Sequence, residues 1–199
     1  MIDTVIFDLS EVFIAGLYGI EPVLSARLKV DEAAISQAFS SSPLTDLFKA
    51  NITEDAYLKS LREQNYWSIT DAELAQIIRQ NFHRRVPGTH DLLSALLRKY
   101  RLVLLSDHAV EWIAYIKTIH PFLAAFDQRF FSFELKQTKQ EPPTFLQVLA
   151  SIQRDPADCI FVDDSGRNVT TAQSVGISGI QFSSAAQLAR EFGRLEIEV

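Results

Sequence analysis

Residues 160–164 read Ile-Phe-Val-Asp-Asp, an apolar run that ends in two carboxylates. Two other runs have the same form: Val5-Ile6-Phe7-Asp8, and residues 102–107, which read Leu-Val-Leu-Leu-Ser-Asp. Short runs rich in Val, Ile and Phe without a helical period are typical of strands buried on both faces of a parallel sheet. Ligands of such sheets bind beyond the carboxyl ends of the strands, so we expect the three acidic ends to meet in one pocket.

The acidic ends of these runs also imply a cation. Asp is common in turns, but three apolar runs that all end in Asp favour a shared acidic site over three unrelated turns. Carboxylates that lie together in a cleft do not stay ionised unless a positive charge joins them, so the pattern implies a divalent metal.

The composition is that of an ordinary globular protein. Of the 199 residues, 47% are hydrophobic and 22% charged, which suits one sizeable domain or a core domain with an insert. The net charge of −6 and the lack of a basic stripe argue against a nucleic-acid partner. No run approaches the ~18 apolar residues that span a bilayer, and the first residues lack signal-peptide features. We therefore expect a cytoplasmic protein without a membrane partner, and no pattern indicates its oligomeric state.

The order of the predicted elements indicates an α/β fold with a helical insert. Helices are predicted over residues 22–29, 31–39, 53–63, 71–82, 90–100, 110–118, 143–152, 166–175 and 185–192, and strands over residues 4–8, 128–132, 159–163 and 177–182, with another ending at Asp107. Thr53 and Thr70 stand where helix N-caps are expected. Strands that alternate with helices imply right-handed crossovers and a parallel, three-layer fold.

Four groups of residues at the predicted sheet edge have a clear chemical use. Asp8 is a candidate nucleophile, because a carboxylate can attack phosphorus and form an aspartyl-phosphate. Lys139 can neutralise the nucleophile and a phosphoryl group, although alone it would be interpreted as a solvated loop lysine. Ser106 offers a hydroxyl donor to a phosphate oxygen. Asp163 and Asp164 are hard oxygen ligands that suit Mg²⁺, and a helix begins directly after them.

These segments resemble the four motifs of the haloacid dehalogenase (HAD) superfamily. The motifs are Asp8-Leu9-Ser10-Glu11-Val12, Leu105-Ser106-Asp107, Lys139 and Val162-Asp163-Asp164-Ser165-Gly166-Arg167-Asn168. The chain is most similar to the branch that contains small sugar-phosphate phosphatases and the phosphatase domain of soluble epoxide hydrolases. The resemblance implies a Rossmann-like HAD core, residues 1–15 and 86–199, and an inserted all-helical cap, residues 16–85.

The resemblance also implies roles for individual residues. Asp8 would be the nucleophile, Ser106 a phosphate donor with Asp107 beside it at the substrate, and Lys139 the charge clamp. The ligands implied for Mg²⁺ are Asp8, the backbone carbonyl of Ser10, Asp163 and Asp164, with Asp164 as the main one. The substrate would be a small phosphorylated metabolite. The cap would open and close on linkers near Gly16–Gly19 and Pro87–Gly88.

The chain departs from the family pattern most clearly at Ser10. Most phosphatases of the superfamily have a second Asp there, which protonates the leaving group, and losing such an acid typically costs roughly 10²–10⁴ in rate. His108 is a candidate substitute acid, and the alternative is a surface or cap-facing histidine. Further departures from the residues usual in the family are Glu11, Asp107, Lys136 and Gln140.

Three functions therefore stay open at the level of sequence. The first is a Mg²⁺-dependent phosphatase, and the second is a catalytically impaired binding or regulatory protein. The third is a 2-haloacid dehalogenase: a halide leaves without protonation, which fits Ser10, but metal-free chemistry fits the Asp163-Asp164 pair poorly. The aromatic residues considered for the pocket are Phe13, Tyr18, Phe48, Tyr66 and Trp67, although packing between cap and core is the expected role of each.

Overall fold

A computed structural model of the chain describes residues 1–41 and 43–199. Over these residues it contains a parallel sheet with the strands β1 (Thr4–Phe7), β2 (Arg101–Ser106), β3 (Gln128–Phe131), β4 (Cys159–Asp163) and β5 (Ser178–Gln181). The strand order is β3-β2-β1-β4-β5. Because β1 lies between β2 and β4, the residues that follow these three strands meet at one edge of the sheet.

The two central strands are buried on both faces, as their apolar sequences predict. Every residue of β1 and β4 is buried. Successive side chains of a strand point to opposite faces, and Ile6 accordingly packs in one apolar layer with Phe161 while Phe7 packs in the other with Val162. Because Phe7 pairs with Leu104 and Val162, β1 ends within two residues of the ends of β2 and β4.

The segment between β1 and β2 is helical, as predicted, and we call residues 16–85 the cap. Its helices are α1 (Glu21–Leu28), α2 (Glu32–Ser41), α3 (Leu44–Phe48), α4 (Glu54–Gln64) and α5 (Asp71–Asn81). The predicted N-caps form: Thr53 Oγ1 accepts the N–H of Ala56 at 3.3 Å, and Thr70 Oγ1 accepts that of Glu73 at 3.1 Å. Helix α3 was not predicted, because five residues are too few to display a helical period.

The remaining helices cover the two faces of the sheet. They are α6 (Thr89–Leu96), α7 (Val110–Ile119), α8 (Ser132–Leu135), α9 (Pro142–Ile152), α10 (Gly166–Ser174) and α11 (Ala185–Arg194). Phe145 of α9 packs in the layer of Ile6, whereas Trp112 of α7 and Phe192 of α11 pack in the layer of Phe7. The chain therefore has the three-layer, Rossmann-like α/β fold that the sequence predicts.

Several predicted boundaries differ from the structure by one to four residues. Helix α6 ends at Leu96 and not at residue 100, because Arg98 adopts a left-handed backbone conformation with φ of 70°. Strand β2 ends at Ser106, which leaves Asp107 outside the sheet. Strand β5 is shorter than predicted by one residue at each end. Among the described residues, no helix has both the length and the apolar character to cross a membrane.

The two connections between core and cap are joined to each other. The N–H of Ala15 donates to the carbonyl of Arg84 at 2.8 Å, and the N–H of Val86 donates to the carbonyl of Phe13 at 3.0 Å. The chain thus enters and leaves the cap through one short two-stranded ribbon, which holds the base of the cap beside the end of β1.

Candidate active site

Lys139 lies between two carboxylates at the edge of the sheet. Its Nζ is 2.6 Å from Asp8 Oδ1, directly after β1, and 2.7 Å from Asp163 Oδ2, at the end of β4. All three side chains are almost completely buried. The loop that precedes α9 carries Lys139, and its backbone N–H donates to both oxygens of Asp107 at 3.1 Å. The alternative interpretation of Lys139 as a solvated loop lysine is therefore wrong.

The charges in this cluster shift one another's protonation. Burial alone would lower the pKa of Lys139, but the carboxylates of Asp163, Asp8 and Asp107 outweigh it and raise that pKa. Burial raises the pKa of Asp8 well above its usual range; Lys139 opposes this shift, and Asp163 and Asp164 add to it. Burial is therefore the main cause of the raised pKa of Asp8, and the neighbouring carboxylates add to it.

The residues at the end of β4 complete an acidic cluster. Asp8, Asp163 and Asp164 each offer a carboxylate oxygen, and these oxygens all lie within 4.8 Å of one another. Asp163 is the most constrained of the three, because it also accepts the N–H of Ser165 at 2.8 Å and the side-chain N–H of Asn168 at 3.2 Å. Asp164 is less buried, and its pKa is raised by burial and then by Asp163. This donor set of hard oxygens fits a divalent metal ion.

Helix α10 begins beside the cluster. The Ser165 side chain accepts the N–H of Asn168 at 3.4 Å and so caps the helix. Both residues line the cavity described below. The N-terminal end of α10, which carries a partial positive charge, therefore lies at the site, as the sequence predicts.

Ser10 and His108 form a second polar group at the site. Ser10 Oγ and His108 Nε2 lie 3.4 Å apart. His108 is 2% exposed, and burial, followed by the charge of Lys139, lowers its pKa to about 3. The interpretation of His108 as a surface residue is wrong; its ring packs against Phe48 and Phe82, which belong to the cap. Because the ring is neutral at pH 7, it cannot serve as a protonated substitute acid.

Ser106 and Asp107, at the end of β2, differ in their surroundings. Ser106 is fully buried, and its hydroxyl has no hydrogen-bond partner among the described residues. It is not among the residues that line the cavity, whereas Asp107 is. Burial raises the pKa of Asp107 to about 6, although Lys139 opposes the shift. The hydroxyl of Ser106 would need to reorient or the site to rearrange before it donated to a ligand.

A cavity of about 300 Å³ opens above Asp8 and Lys139, between core and cap. Its aromatic lining consists of Tyr18, Phe39, Phe48, Phe82 and Trp112. Of the aromatic residues considered from the sequence, Phe13 and Trp67 are instead buried in the apolar core and Tyr66 is 95% exposed. The sequence did not indicate Phe39, Phe82 or Trp112, because their place in the cavity depends on how the cap packs against α7.

A family model for the haloacid dehalogenase-like hydrolases matches residues 2–176 of the chain. The chain belongs to this family. It is therefore a hydrolase, and the motifs quoted from its sequence lie within the matched region. The predicted resemblance to the HAD superfamily is thus confirmed, together with the fold that it implied.

Solved structures of the family share the fold. A HAD family enzyme of Bacteroides thetaiotaomicron, in complex with magnesium and inorganic phosphate, is 23% identical with a TM-score of 0.78, covering 96% of this chain and 100% of that chain. A predicted HAD-like hydrolase of Porphyromonas gingivalis is 21% identical with a TM-score of 0.79 and full coverage of both chains. The L-2-haloacid dehalogenase of Xanthobacter autotrophicus is 18% identical with a TM-score of 0.70, covering 97% of this chain and 83% of that one.

One curated relative is similar over a shorter segment. Flavin mononucleotide hydrolase 1, a chloroplastic protein of Arabidopsis thaliana, is 38% identical over 61 residues. The matched segment is 31% of this chain and spans a quarter of the length of that relative.

Proposed function

We propose that this hydrolase is a Mg²⁺-dependent phosphatase that transfers the phosphoryl group of a small phosphorylated metabolite to Asp8. The observation that carries the proposal is the position of Lys139, whose ammonium group bridges Asp8 and Asp163 at the base of the cavity. A buried cation beside a carboxylate nucleophile is suited to an anionic substrate, since it offsets the charge of both. The relative that hydrolyses flavin mononucleotide, a phosphate monoester, supports the same reaction type.

In the proposed first step, a carboxylate oxygen of Asp8 attacks phosphorus. A bond forms between that oxygen and phosphorus, while the bond to the ester oxygen breaks and its electron pair leaves with that oxygen. Lys139 stabilises the charge on the transferring group. A water molecule then attacks phosphorus, which releases inorganic phosphate and regenerates the Asp8 carboxylate.

The residues near the leaving group provide no strong acid. Ser10 occupies the place of the usual Asp, and its hydroxyl neighbours His108, whose neutral ring has no proton to give as an acid at pH 7. The leaving oxygen therefore takes its proton from water. Such an enzyme works best on esters whose leaving oxygen is already stable, such as aryl esters, acyl phosphates or anomeric sugar phosphates.

The acidic cluster would hold the Mg²⁺ ion that the family resemblance implies. Asp8, Asp163 and Asp164 present three oxygens within 4.8 Å of one another. Burial raises the pKa of Asp8 and of Asp164, and the neighbouring carboxylates raise both further. The backbone carbonyl of Ser10 is the proposed further ligand. When bound, Mg²⁺ would neutralise part of the phosphate charge and so reduce its repulsion from Asp8.

Asp8→Asn tests the proposal directly. With aryl phosphates and saturating Mg²⁺, we expect the wild type to release phosphate and the variant to lose at least about 10³-fold in kcat, because an amide is not a nucleophile. Chelation of Mg²⁺ should abolish wild-type turnover. Asp91→Asn is the matched control, since Asp91 is exposed on α6 and does not line the cavity. Full turnover by Asp8→Asn would contradict the proposal.

A non-catalytic binding role is the second candidate, and Ser10 is the observation that favours it. If the wild type hydrolyses no aryl, acyl or anomeric phosphate but Mg²⁺ and phosphate still raise its melting temperature, the chain is a binding protein with this fold. The dehalogenase alternative is separated by halide release from 2-haloacids in the presence of a chelator, which a metal-dependent phosphatase does not catalyse.

A further inference from the structure

The charges that line the cavity are unbalanced. Among the described residues, Lys139 is the one lysine or arginine in the lining, and its ammonium group already contacts Asp8 and Asp163. The lining also contains carboxylates beyond the nucleophile. They are Glu11, Glu21, Asp107 and Asp164. Asp164 belongs to the proposed metal site, and Asp107 accepts the backbone N–H of Lys139. The phosphoryl end of a substrate would therefore meet Lys139, Asp107 and the metal site. Its organic part would meet Glu11 and Glu21, which have no lysine or arginine partner in the lining.

Two of these carboxylates are fixed in place by hydrogen bonds. Glu11 Oε1 accepts the N–H of Gly16 at 2.6 Å. Glu21 Oε2 accepts the N–H of Gly19 at 2.7 Å, and its Oε1 accepts the hydroxyl of Ser36 at 3.2 Å. Side chains held in this way cannot swing out of the cavity to relieve repulsion with a ligand. The positions of these two carboxylates are thus fixed in the cavity. Burial raises the pKa of Glu11, and Arg84, which is not part of the lining, opposes this shift.

The environment of Tyr18 shows the electrostatic effect of the carboxylates in this part of the cavity. Tyr18 lines the cavity, and burial raises the pKa of its phenol; Asp164, Glu11 and Glu21 raise it further. The negative charge of each of these carboxylates disfavours ionisation of the Tyr18 phenol. A negatively charged group on a substrate would meet the same opposition if it lay beside that ring.

The apolar part of the lining is aromatic. The rings of Phe48, Phe82 and Trp112 offer contact area for the organic part of a substrate. His108 and Asn168 also line the cavity, and each is less than a tenth exposed.

We propose that the cavity selects phosphate monoesters whose only anionic group is the phosphate, and whose organic part is uncharged or cationic and partly apolar. Bisphosphates, nucleoside diphosphates and phosphorylated carboxylic acids are excluded, because their second anionic group would be placed against Glu11 and Glu21. This inference rests on the proposed phosphatase function and names the substrate class of the same site.

The test uses four aryl phosphates that differ in one substituent. They are phenyl phosphate and its para-hydroxymethyl, para-aminomethyl and para-carboxylate derivatives. All four release phenols, so their hydrolysis depends little on the acid that is missing at position 10. We expect kcat/KM for the hydroxymethyl ester to exceed that for the carboxylate ester by at least about tenfold. The aminomethyl ester should equal or exceed the hydroxymethyl ester.

Glu11→Gln and Glu21→Gln then test the residues. Glutamine keeps the oxygen that accepts the backbone N–H, so the loop at residues 16–19 stays supported while the charge is removed. In the double variant we expect the ratio of kcat/KM between carboxylate and hydroxymethyl esters to rise about tenfold. The ratio of kcat/KM between the aminomethyl and hydroxymethyl esters should fall. Glu63→Gln is the matched control, because Glu63 is exposed on α4 and outside the cavity lining.

The outcomes separate this inference from the proposed function. If phenyl phosphate itself is not hydrolysed with Mg²⁺ present, the phosphatase proposal fails. If it is hydrolysed and the carboxylate ester is as good a substrate as the hydroxymethyl ester, the charge selection is wrong. If the wild type discriminates but the double variant keeps the same ratio, Glu11 and Glu21 only support the loop and are not its cause. A damaged fold would lower kcat/KM for all four esters and would also lower the melting temperature of the double variant. In that case the single variants Glu11→Gln and Glu21→Gln provide the ratios.

Discussion

Ser10 lies two residues after Asp8 and lines the same cavity. In the proposed mechanism, the chemistry of residue 10 decides which leaving groups the site can expel. The Cβ and Oγ atoms of Ser10 lie so close to Gly16 that a Cβ at residue 16 would approach Ser10 Cβ to 2.9 Å. The Ser10 side chain is therefore held between Gly16 and His108. A longer acid at residue 10 would have to extend from this point toward the cavity.

Ser10→Asp is expected to widen the range of leaving groups. A carboxylic acid at this position can protonate an alkoxide as it departs, so kcat for alkyl phosphates should rise by at least about tenfold while that for aryl phosphates changes little. The measurement is kcat across phosphate esters of graded leaving-group pKa, with Ser10→Ala as the control. A variant as slow as the wild type on alkyl esters would show that residue 10 does not face the leaving oxygen.

His108 is expected to make the fold sensitive to acid. Its pKa is about 3 in the folded chain and 6.5 as an ordinary histidine, so the unfolded chain binds one more proton between these values. The free energy of unfolding then falls by about 1.4 kcal/mol for each pH unit below 6.5. The contribution of the neutral His108 ring to the free energy of unfolding is fully present above pH 6.5 and is lost as the pH falls toward 3.

His108→Phe isolates this contribution. Urea unfolding in the presence of chelator measures the free energy of unfolding at pH 7 and at pH 5. Between these values it should decrease by about 2 kcal/mol more in the wild type than in the variant, because phenylalanine does not titrate. Equal losses in the two proteins would contradict the burial argument. The sequence identified His108 as a neighbour of the motif but gave no sign of its burial, since that burial comes from Phe48 and Phe82 on distant cap segments.

Among the elements, α4 of the cap and α7 of the core are joined by a buried carboxylate. Glu54 is 5% exposed, and its Oε1 accepts the Nε1–H of Trp112 at 2.8 Å while its Oε2 accepts an N–H of Arg79. Glu111 of α7 accepts the backbone N–H of Glu54 at 3.3 Å. The sequence predicted both helices but not this contact, because hydrogen bonds between distant segments leave no periodic pattern.

Glu54→Leu is expected to lower the free energy of unfolding by about 2–4 kcal/mol, since it leaves Trp112 Nε1 and Arg79 without their carboxylate. Glu54→Gln should cost less, because its amide oxygen still accepts one hydrogen bond. Urea unfolding measures both. Glu63→Leu on the exposed face of the same helix is the control and should change stability by less than about 0.5 kcal/mol. If Glu54→Leu matches the control, the buried contact does not stabilise the cap on the core.

At the scale of the whole molecule, the sheet could be predicted from the sequence, whereas the cavity could not. The strands β1, β2 and β4 are local apolar runs, and parallel pairing brings their acidic ends together whatever the loops do. The cavity depends on how the cap packs against α7, for example through the contacts of Phe48 and Phe82 with Trp112. That packing decides that Tyr18 and Phe48 line it while Phe13 and Trp67 do not.

Mg²⁺ is expected to stabilise the folded chain as a whole. At a concentration about 100 times Kd the gain is about 2.7 kcal/mol, which raises the melting temperature by several degrees. Asp164→Asn should reduce this gain and, because the pKa of Asp164 is raised by burial and by Asp163, should make the metal-free protein more stable than the wild type. Thermal unfolding with and without chelator measures both effects. Asp91→Asn should behave as wild type, and an Asp164→Asn variant with an unchanged Mg²⁺ response would exclude Asp164 as a ligand.

The position of β1 has a consequence for the order in which the molecule is built. Thr4 pairs with Arg101 on one side and Cys159 on the other, so the central strand is made first and receives its second neighbour only after residue 159 has left the ribosome. The cap helices have mostly local contacts and can form much earlier. Asp8 therefore stays apart from Lys139 and Asp163 until β4 has been made. If these three residues carry the proposed reaction, the nascent chain cannot turn over substrate before that point.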